Sequence, residues 1–362
     1  MTSAWRDTAL TRMLGIDLPI VLGAFGGASS VALTAAVSNG GGLGSYGLYG
    51  YSAERILRTA EELREATSRP FAVNVWLPHR EPGERDPGRE AVPDDAFRAA
   101  AQRLAPLFAE VGLEPPAEPP ASYLPGFDEQ LAAVLEARPA VLSVVFGVPD
   151  AATIDACHDG GIRVVGTATT VDEGVALAKA GVDAIVASGM EAGGHRVSFL
   201  RPAQESLVGT FALVPQVADA VDVPVIAAGG IADARGVAAA LVLGAAGAMV
   251  GTAFLATDHS GTSAAHREAL RSDAARETVL TRALSGRLAR GIPNRVTREI
   301  VDPAPFPLQN WLTGLFRARA GELGRADLLS LWAGQAAGLA RWRDADALLR
   351  EIAAGVDELL PG

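Results

Sequence analysis

The sequence has little cysteine and no long apolar run. Its 362 residues include a single cysteine, Cys157, which excludes an internal disulfide and a metal centre built from several thiolates. No apolar run approaches the roughly 18 residues that a membrane-spanning helix needs, and the first residues lack the apolar segment of a secretory signal. We therefore expect a cytoplasmic protein with no membrane partner and no metal site. Cys157 is expected on the buried side of a helix, since the residues around it show no sign of an activated nucleophile.

An excess of basic charge is also missing. The formal net charge is −11, from 31 Lys and Arg against 42 Asp and Glu. Binding to nucleic acid needs a basic face, and no stretch supplies one, so a nucleic acid partner is not expected. Hydrophobic residues make up 49% of the chain, charged residues make up 20%, and 40 residues are glycine. This composition indicates a compact, turn-rich protein and excludes a disordered one.

Short apolar segments alternate with helical patterns along most of the chain. The predicted strands begin at Ile20 and end with residues 248–251, and counting them gives eight. Each predicted strand is followed by a helix or by an insertion, which is the order of a parallel sheet. Eight such units favour a closed (β/α)8 TIM barrel, an α/β fold, over an open doubly wound sheet, which is the second candidate.

Two parts of the chain fall outside this alternation. Residues 78–126 follow the third predicted strand and begin with a polar, proline-rich stretch, although a helix is predicted from Asp94 to about Val111. Long insertions are often functional, so a lid or a homodimer contact is one expectation and a decorated surface loop is the other. Residues 260–362 are mostly helical in pattern. The sequence thus predicts a barrel domain over 14–259 that carries the insertion, with the helical C-terminal region packed on it.

The segment after the sixth predicted strand is the strongest candidate for chemistry. Residues 182–187 have the pattern of a buried strand, and the loop SGMEAGGHR follows. The adjacent glycines Gly193 and Gly194 permit backbone conformations and close approaches that other residues do not allow, so a ring or a phosphate could lie against them. His195 would then stand beside the ligand, and histidine is the side chain that exchanges a proton near neutral pH. For this segment taken alone, a glycine turn with a surface histidine is the alternative.

Two further glycine clusters follow the seventh and eighth predicted strands. They are Gly229–Gly230, within AAGGI, and Gly251–Thr252, within MVGTAF. In barrels, backbone N–H groups and a helix N-terminus commonly bind a phosphate at this place. The sequence therefore predicts a phosphate-bearing ligand. No glycine-rich loop with lysine and no GxGxxG at a first βαβ unit is present, which argues against ATP and against Rossmann-bound NAD.

As a set, these motifs resemble those of the nitronate monooxygenases, formerly called 2-nitropropane dioxygenases, which are FMN-dependent barrels. The resemblance depends on the AGGH loop, the AAGGI cluster, the GT-x-F step and Asn74 in the third predicted strand, and it extends from about Leu14 to about Trp332. It implies that His195 is the catalytic residue facing the flavin. The positions that it places at the FMN cofactor are Ala24, Phe25, Asn74, Thr167, Ser188, Gly193, Gly194, Gly229, Gly230, Met249, Val250, Gly251 and Thr252.

The resemblance also implies an activity. The protein would use FMN and O2 to oxidise an alkyl nitronate, or a related small acidic carbon compound, to a carbonyl product and nitrite. His195 would take the α-proton of a nitroalkane or, in its protonated form, pair with the bound nitronate. The alternatives are an FMN-dependent enoyl-ACP reductase, since those enzymes share the AGGH loop, and a flavin-binding barrel without turnover.

Three places depart from the family pattern. Family members commonly carry Pro-Met where this chain has Ala24 and Phe25, Gln where it has Ser188, and Gly where it has Val197. Phe25 changes the pocket wall beside the flavin ring, and Ser188 shortens a polar arm that would reach it. We expect FMN binding to survive these changes, while the substrate need not be a simple nitroalkane.

Overall fold

The computed structural model of the chain describes residues 4–81 and 92–361. Its strands are β1 (Ile20–Leu22), β2 (Gly44–Gly47), β3 (Phe71–Trp76), β4 (Val141–Val145), β5 (Arg163–Ala168), β6 (Ala184–Ser188), β7 (Gly194–His195), β8 (Val225–Ala228), β9 (Gly247–Val250), β10 (Val279–Thr281) and β11 (Ala289–Gly291).

Helices follow most of the strands. They are α1 (Ala9–Leu14), α2 (Val31–Asn39), α3 (Ala53–Ala66), α4 (Asp94–Glu110), α5 (Phe127–Ala137), α6 (Ala151–Asp159), α7 (Val171–Ala180), α8 (Thr210–Ala220), α9 (Ala234–Val242), α10 (Thr252–Leu255), α11 (Ala264–Arg271), α12 (Arg295–Glu299), α13 (Leu308–Glu322) and α14 (Ala345–Leu359).

Eight parallel strands form one sheet in the order β1-β9-β8-β6-β5-β4-β3-β2. A parallel bridge between Val21 and Leu43 joins the first strand to the segment that precedes the second, so the sheet closes on itself. The fold is therefore the (β/α)8 TIM barrel predicted from the strand count. The remaining strands make a small sheet in the order β10-β11-β7, which the sequence pattern did not predict.

Local signals account for the helices that surround the barrel. The Ser52 side chain accepts a hydrogen bond from the Arg55 N–H and caps α3. Asp150 caps α6 in the same way through Thr153. Cys157 lies on the inner face of α6 and is fully buried, which confirms the expectation for the single cysteine.

The barrel interior is filled at its N-terminal end. Inward-facing residues of the strands, such as Val165 and Ile226, pack with Leu10 and Leu14 of α1 and with Ile16 in one apolar cluster. Since α1 covers this end, the side chains at the carboxyl ends of the strands are left to form a site, as is usual for this fold.

A second apolar core lies outside the barrel. Phe97 and Phe108 of α4 are each 1% exposed, and the Phe108 ring meets the Phe316 ring of α13 edge-on at 5.5 Å. The helix predicted from Asp94 to about Val111 is therefore packed against the C-terminal region. Residues 82–91, in the proline-rich part of the predicted insertion, lie outside the described residues. Within the described chain, no helix is both long and apolar enough to cross a membrane.

Candidate active site

The strands that carry most of the predicted site residues end side by side. Ser188 at the end of β6 pairs with Ala228 of β8, and Ala228 pairs with Met249 of β9. On the other side of β9, Val250 pairs with Leu22 of β1. The structure therefore brings together, at the C-terminal mouth, the predicted positions Ala24, Phe25, Ser188, Gly193, Gly194, His195, Gly229, Gly230, Met249, Gly251 and Thr252.

Side-chain direction along the strands separates the other predicted positions. Successive residues of a strand point to opposite faces, so Asn74 and Thr167 face the barrel interior, as Ala72 and Val165 of the inner cluster do. The Val250 side chain belongs instead to the layer between strands and helices and is fully buried there. Only the backbone of Val250 is available to a ligand in the mouth.

Asn74 has the partner that a buried amide requires. The side chain is 8% exposed, and its Nδ2 donates to the carbonyl oxygen and to the Oγ of Ser143, both at 3.2 Å. Ser143 lies on the neighbouring strand, β4. The pair holds the amide of Asn74 in one orientation on the inner wall of the barrel.

The glycines at the mouth differ in the space beside them. Gly229 and Gly230 have φ angles of +102° and +73°, a conformation that side-chain-bearing residues rarely adopt. A Cβ at Gly230 would meet no neighbouring atom closer than 3.6 Å, and one at Gly251 none closer than 3.8 Å. At Gly194, where φ is +76°, a Cβ would have no such neighbour within 4 Å. Gly194 therefore borders free space, whereas a Cβ at Gly230 or Gly251 would make ordinary contacts with a neighbouring side chain, and one at Gly229 would lie only 2.9 Å from Thr210 Oγ1.

Gly193 is a different case. A Cβ at Gly193 would lie 2.6 Å from the Gly334 nitrogen and 2.7 Å from the Ala333 carbonyl carbon. The Gly334 N–H also donates to Thr252 Oγ1 at 2.9 Å. The sequence predicted that a ligand would approach Gly193 closely. On this side of Gly193, the backbone of Ala333 and Gly334 makes that close approach instead.

The loop that carries His195 is held by two sets of hydrogen bonds. His195 pairs with Ala289 in the antiparallel ladder of β7 and β11, so part of the predicted loop is a short strand. Arg196, 5% exposed, donates to the carbonyl oxygens of Ser188 at 2.6 Å, Ser206 at 2.8 Å and Thr169 at 3.2 Å. The sequence offered no signal for this role, because an arginine after a glycine-rich loop has the appearance of a surface residue.

His195 is enclosed by rings and by a serine. Its Nε2 lies 2.8 Å from Ser285 Oγ, and its ring centroid is 5.0 Å from Trp76 and 5.6 Å from Trp332. Burial, followed by the positive charges of Arg287 and Arg317, lowers the pKa of His195 to about 3. The imidazole is therefore neutral at pH 7, and the expectation of a histidine that titrates near neutral pH is wrong for this environment.

Phe146, just after β4, is a further member of this cluster. Its φ is +69°, in the left-handed region that a bulky side chain rarely occupies. The ring contacts Trp76 at 4.7 Å between centroids, and the guanidinium of Arg287 lies 4.6 Å from the ring. Non-glycine residues in this conformation concentrate at functional sites, because surrounding contacts must offset the strain.

Comparisons with known proteins identify the family. A family model described as nitronate monooxygenase matches residues 7–355. This chain belongs to the nitronate monooxygenase family. The family consists of flavin-dependent oxidoreductases, so the resemblance inferred from the AGGH and AAGGI motifs is confirmed.

Individual relatives agree with the family assignment. A nitronate monooxygenase from Pseudomonas aeruginosa is 43% identical over 356 residues, which cover 96% of this chain and 98% of that protein. The crystal structure of nitroalkane oxidase from Streptomyces ansochromogenes has a TM-score of 0.88 at 38% identity, covering 97% of this chain and 98% of the other. FabK from Thermotoga maritima is more distant, with a TM-score of 0.75 at 28% identity, covering 98% and 97%.

Proposed function

We propose that this protein uses FMN and O2 to oxidise alkyl nitronates, or a related small acidic carbon compound, to a carbonyl product and nitrite. The observation that carries the proposal is a neutral, ring-enclosed imidazole, His195, next to Gly194, whose Cβ side is open, at the barrel mouth. Membership of the nitronate monooxygenase family supports it. The reductase alternative has weaker support, because the nitronate and nitroalkane enzymes share the higher identities with this chain.

The residues at the mouth fit FMN. Neither Gly230 nor Gly251 carries a side chain of its own. The nearest neighbours of a Cβ there, the side chains of Glu191 and Phe25, lie 3.6 and 3.8 Å away, so a phosphate could approach the backbone N–H groups. Asn74 and Thr167 line the inner wall and offer polar groups to a flavin ring. In this proposal the phosphate lies at the ends of β8 and β9, and the ring lies toward His195.

We infer the position of the proton on His195 from the hydrogen bonding around Ser285. The Ser285 hydroxyl donates to the carbonyl oxygen of Arg287 at 3.1 Å, so its oxygen is left to accept from His195 Nε2 at 2.8 Å. Nε2 then carries the hydrogen, and Nδ1 keeps a free lone pair. His195 Nδ1 is therefore the atom that we propose takes the α-proton of a nitroalkane.

The surroundings of His195 weaken it as a base in the free protein, but they favour the anion that the proton transfer would form. Trp76 and Trp332 exclude water from one side of the imidazole. The cations Arg287 and Arg317 disfavour a positive charge on His195, and by the same Coulomb interaction they favour an anion formed next to it. When bound, FMN supplies the redox chemistry, which is electron transfer from the substrate to O2.

A His195→Asn variant tests the proposal. If His195 is the general base, oxidation of a neutral nitroalkane should slow by ~10²–10⁴-fold, the usual contribution of a positioned base. A nitronate ionised beforehand has already lost the α-proton, so its oxidation should fall much less. Oxygen uptake and nitrite release measure both rates, and flavin absorbance checks that the cofactor stays bound.

Two results would contradict the proposal. Equal losses on nitroalkane and nitronate would remove the general-base role of His195. Failure of the unmodified protein to oxidise either compound, with its flavin bound, would reject this class of substrate.

A further inference from the structure

A cavity lies beside α13, separated from His195 by two aromatic rings. Its volume is about 290 Å³, and its walls include the side chains of Tyr49, Tyr123, Trp311 and Arg317. The Tyr49 ring packs on Trp76 at 4.3 Å between centroids, and it is Trp76 that contacts His195. The cavity is thus adjacent to the proposed catalytic site but distinct from it.

The walls are apolar and aromatic over most of their extent. Leu124 and Leu315 line the cavity together with the rings of Tyr123 and Trp311, which meet edge-on at 5.8 Å. Such walls favour a ligand with a flat apolar body. The volume lies at the lower end of the roughly 300–1,000 Å³ of sites for drug-sized molecules, so the ligand should be small.

Arg317 gives the cavity a positive charge. Its Nη1 donates to Ser330 Oγ at 2.7 Å, and its Nη2 donates to the Asn310 backbone oxygen at 3.1 Å and to its Oδ1 at 3.0 Å. All of these acceptors are neutral. Within residues 4–81 and 92–361, no carboxylate forms an ion pair with Arg317, although most of the described arginines with close partners have one. A guanidinium held among apolar groups without an anion is costly.

Among the described residues, two polar atoms in the cavity walls also lack partners. Arg317 Nε and Tyr123 Oη are buried, and neither has a hydrogen-bond partner in the described part of the chain. Buried polar atoms usually have partners, so an unsatisfied pair beside one cavity points to a group that is bound there. A planar anion matches the guanidinium fork of an arginine better than a neutral group does.

We propose that this cavity binds a small aromatic carboxylate, with its carboxylate at Arg317 and its ring between Tyr123 and Trp311. The single positive charge matches a monoanion. This site is additional to the proposed oxidation at His195, although the charge of Arg317 also acts on the His195 ring.

Calorimetric titration of the full-length flavoprotein with benzoate tests the site. Benzoate should bind to the unmodified protein, and benzamide, which has the same shape without the charge, should bind at least about tenfold more weakly. Arg317→Gln should weaken benzoate binding by about tenfold or more, the equivalent of about 1.4 kcal/mol. Arg319→Gln is the matched control, because Arg319 is on the same helix but pairs with Glu322 at the surface.

A second variant does not alter the charge. A Cβ at Gly314, which also lines the cavity, would have only Arg317 Nη2 nearby, at 3.7 Å. Leucine is a better helix former than glycine, so Gly314→Leu should fold, fill the cavity and abolish benzoate binding. Unchanged benzoate binding in folded Arg317→Gln or Gly314→Leu would overturn the proposal. Equal affinity for benzamide, or no benzoate binding at all, would also overturn it.

Discussion

The charges around His195 determine which of its two suggested roles is compatible with the structure. Burial opposes protonation of the ring, and Arg287 and Arg317 oppose it further. A neutral imidazole can accept a proton but cannot serve as a cation for a nitronate. We therefore propose that His195 acts as the base and that the nearby arginines supply a fixed positive charge.

Gly230 is the residue at which the proposed phosphate contact can be tested. In Gly230→Val, the added side chain would occupy the free space beside the backbone, so the purified variant should contain less flavin. Gly324→Val is a matched control, because Gly324 has a similar φ of +69° against +73° and a Cβ there would meet no close neighbour either, but it follows α13. Flavin absorbance per protein measures the outcome. Equal flavin content in the two variants would place the phosphate elsewhere.

His266 should make stability depend on pH. It is 5% exposed, its Nε2 lies 3.0 Å from the Trp332 oxygen, and burial lowers its pKa to about 4. The unfolded chain binds this proton at a pKa of about 6.5, so the free energy of unfolding should fall as the pH drops from about 6.5 to 4. The expected slope is about 1.4 kcal/mol per pH unit for one proton.

Urea unfolding at several pH values measures this slope. In His266→Gln, the free energy of unfolding should change less steeply with pH above pH 4, because one histidine no longer contributes to the slope. The contribution of His195 should remain, because its pKa is also lowered. An identical slope in His266→Gln and in the unmodified protein would show that His266 does not control this range.

At the level of elements, α4 connects the insertion to the C-terminal region. We propose that residues 14–259 form the barrel domain and that 260–362 pack on it, with α4 as part of the second core. The carboxylate of Glu110, at the end of α4, binds Arg295 and Arg325, at 2.6 and 3.0 Å. These pairs are partly exposed, so the apolar contacts should contribute most of the stability.

Phe108→Ala tests the energetic role of α4. Removing a ring that is 1% exposed should lower the free energy of unfolding by about 3–5 kcal/mol, as is usual for a buried phenylalanine. Arg103→Ala, at an exposed position of the same helix, is the control and should change it little. Guanidinium unfolding followed by tryptophan fluorescence compares the variants. Similar stability in both would mean that α4 contributes little to the second core.

The whole molecule should be stabilised by its cofactor. A ligand at 100 times its dissociation constant adds about 2.7 kcal/mol to the free energy of unfolding. FMN should therefore raise the melting temperature of the flavin-free protein by several degrees, while riboflavin, which has no phosphate, should raise it less. The flavin released from the purified protein on denaturation should be FMN. Equal shifts with FMN and riboflavin, or release of FAD alone, would contradict the phosphate assignment.

The sequence by itself determined the barrel and the position of its mouth. Alternating apolar and helical periodicities specify strands and helices over short distances. Strands that alternate with helices form a parallel sheet, and eight such units favour a closed barrel. The cap residues Ser52 and Asp150 and the glycines at 229 and 230 are local signals of the same kind. A local signal can be read without knowing which distant segments meet.

Only the tertiary structure decided which groups surround His195. Ser285 is 90 positions away in the chain, and Trp76 and Trp332 come from opposite halves of the sequence. The packing of Ala333 and Gly334 against Gly193 likewise cannot be predicted from the local sequence around any of the three residues. Burial and nearby charge set the pKa of a histidine, and both depend on contacts between distant segments. The identity of the histidine was therefore visible in the sequence, whereas its protonation state was not.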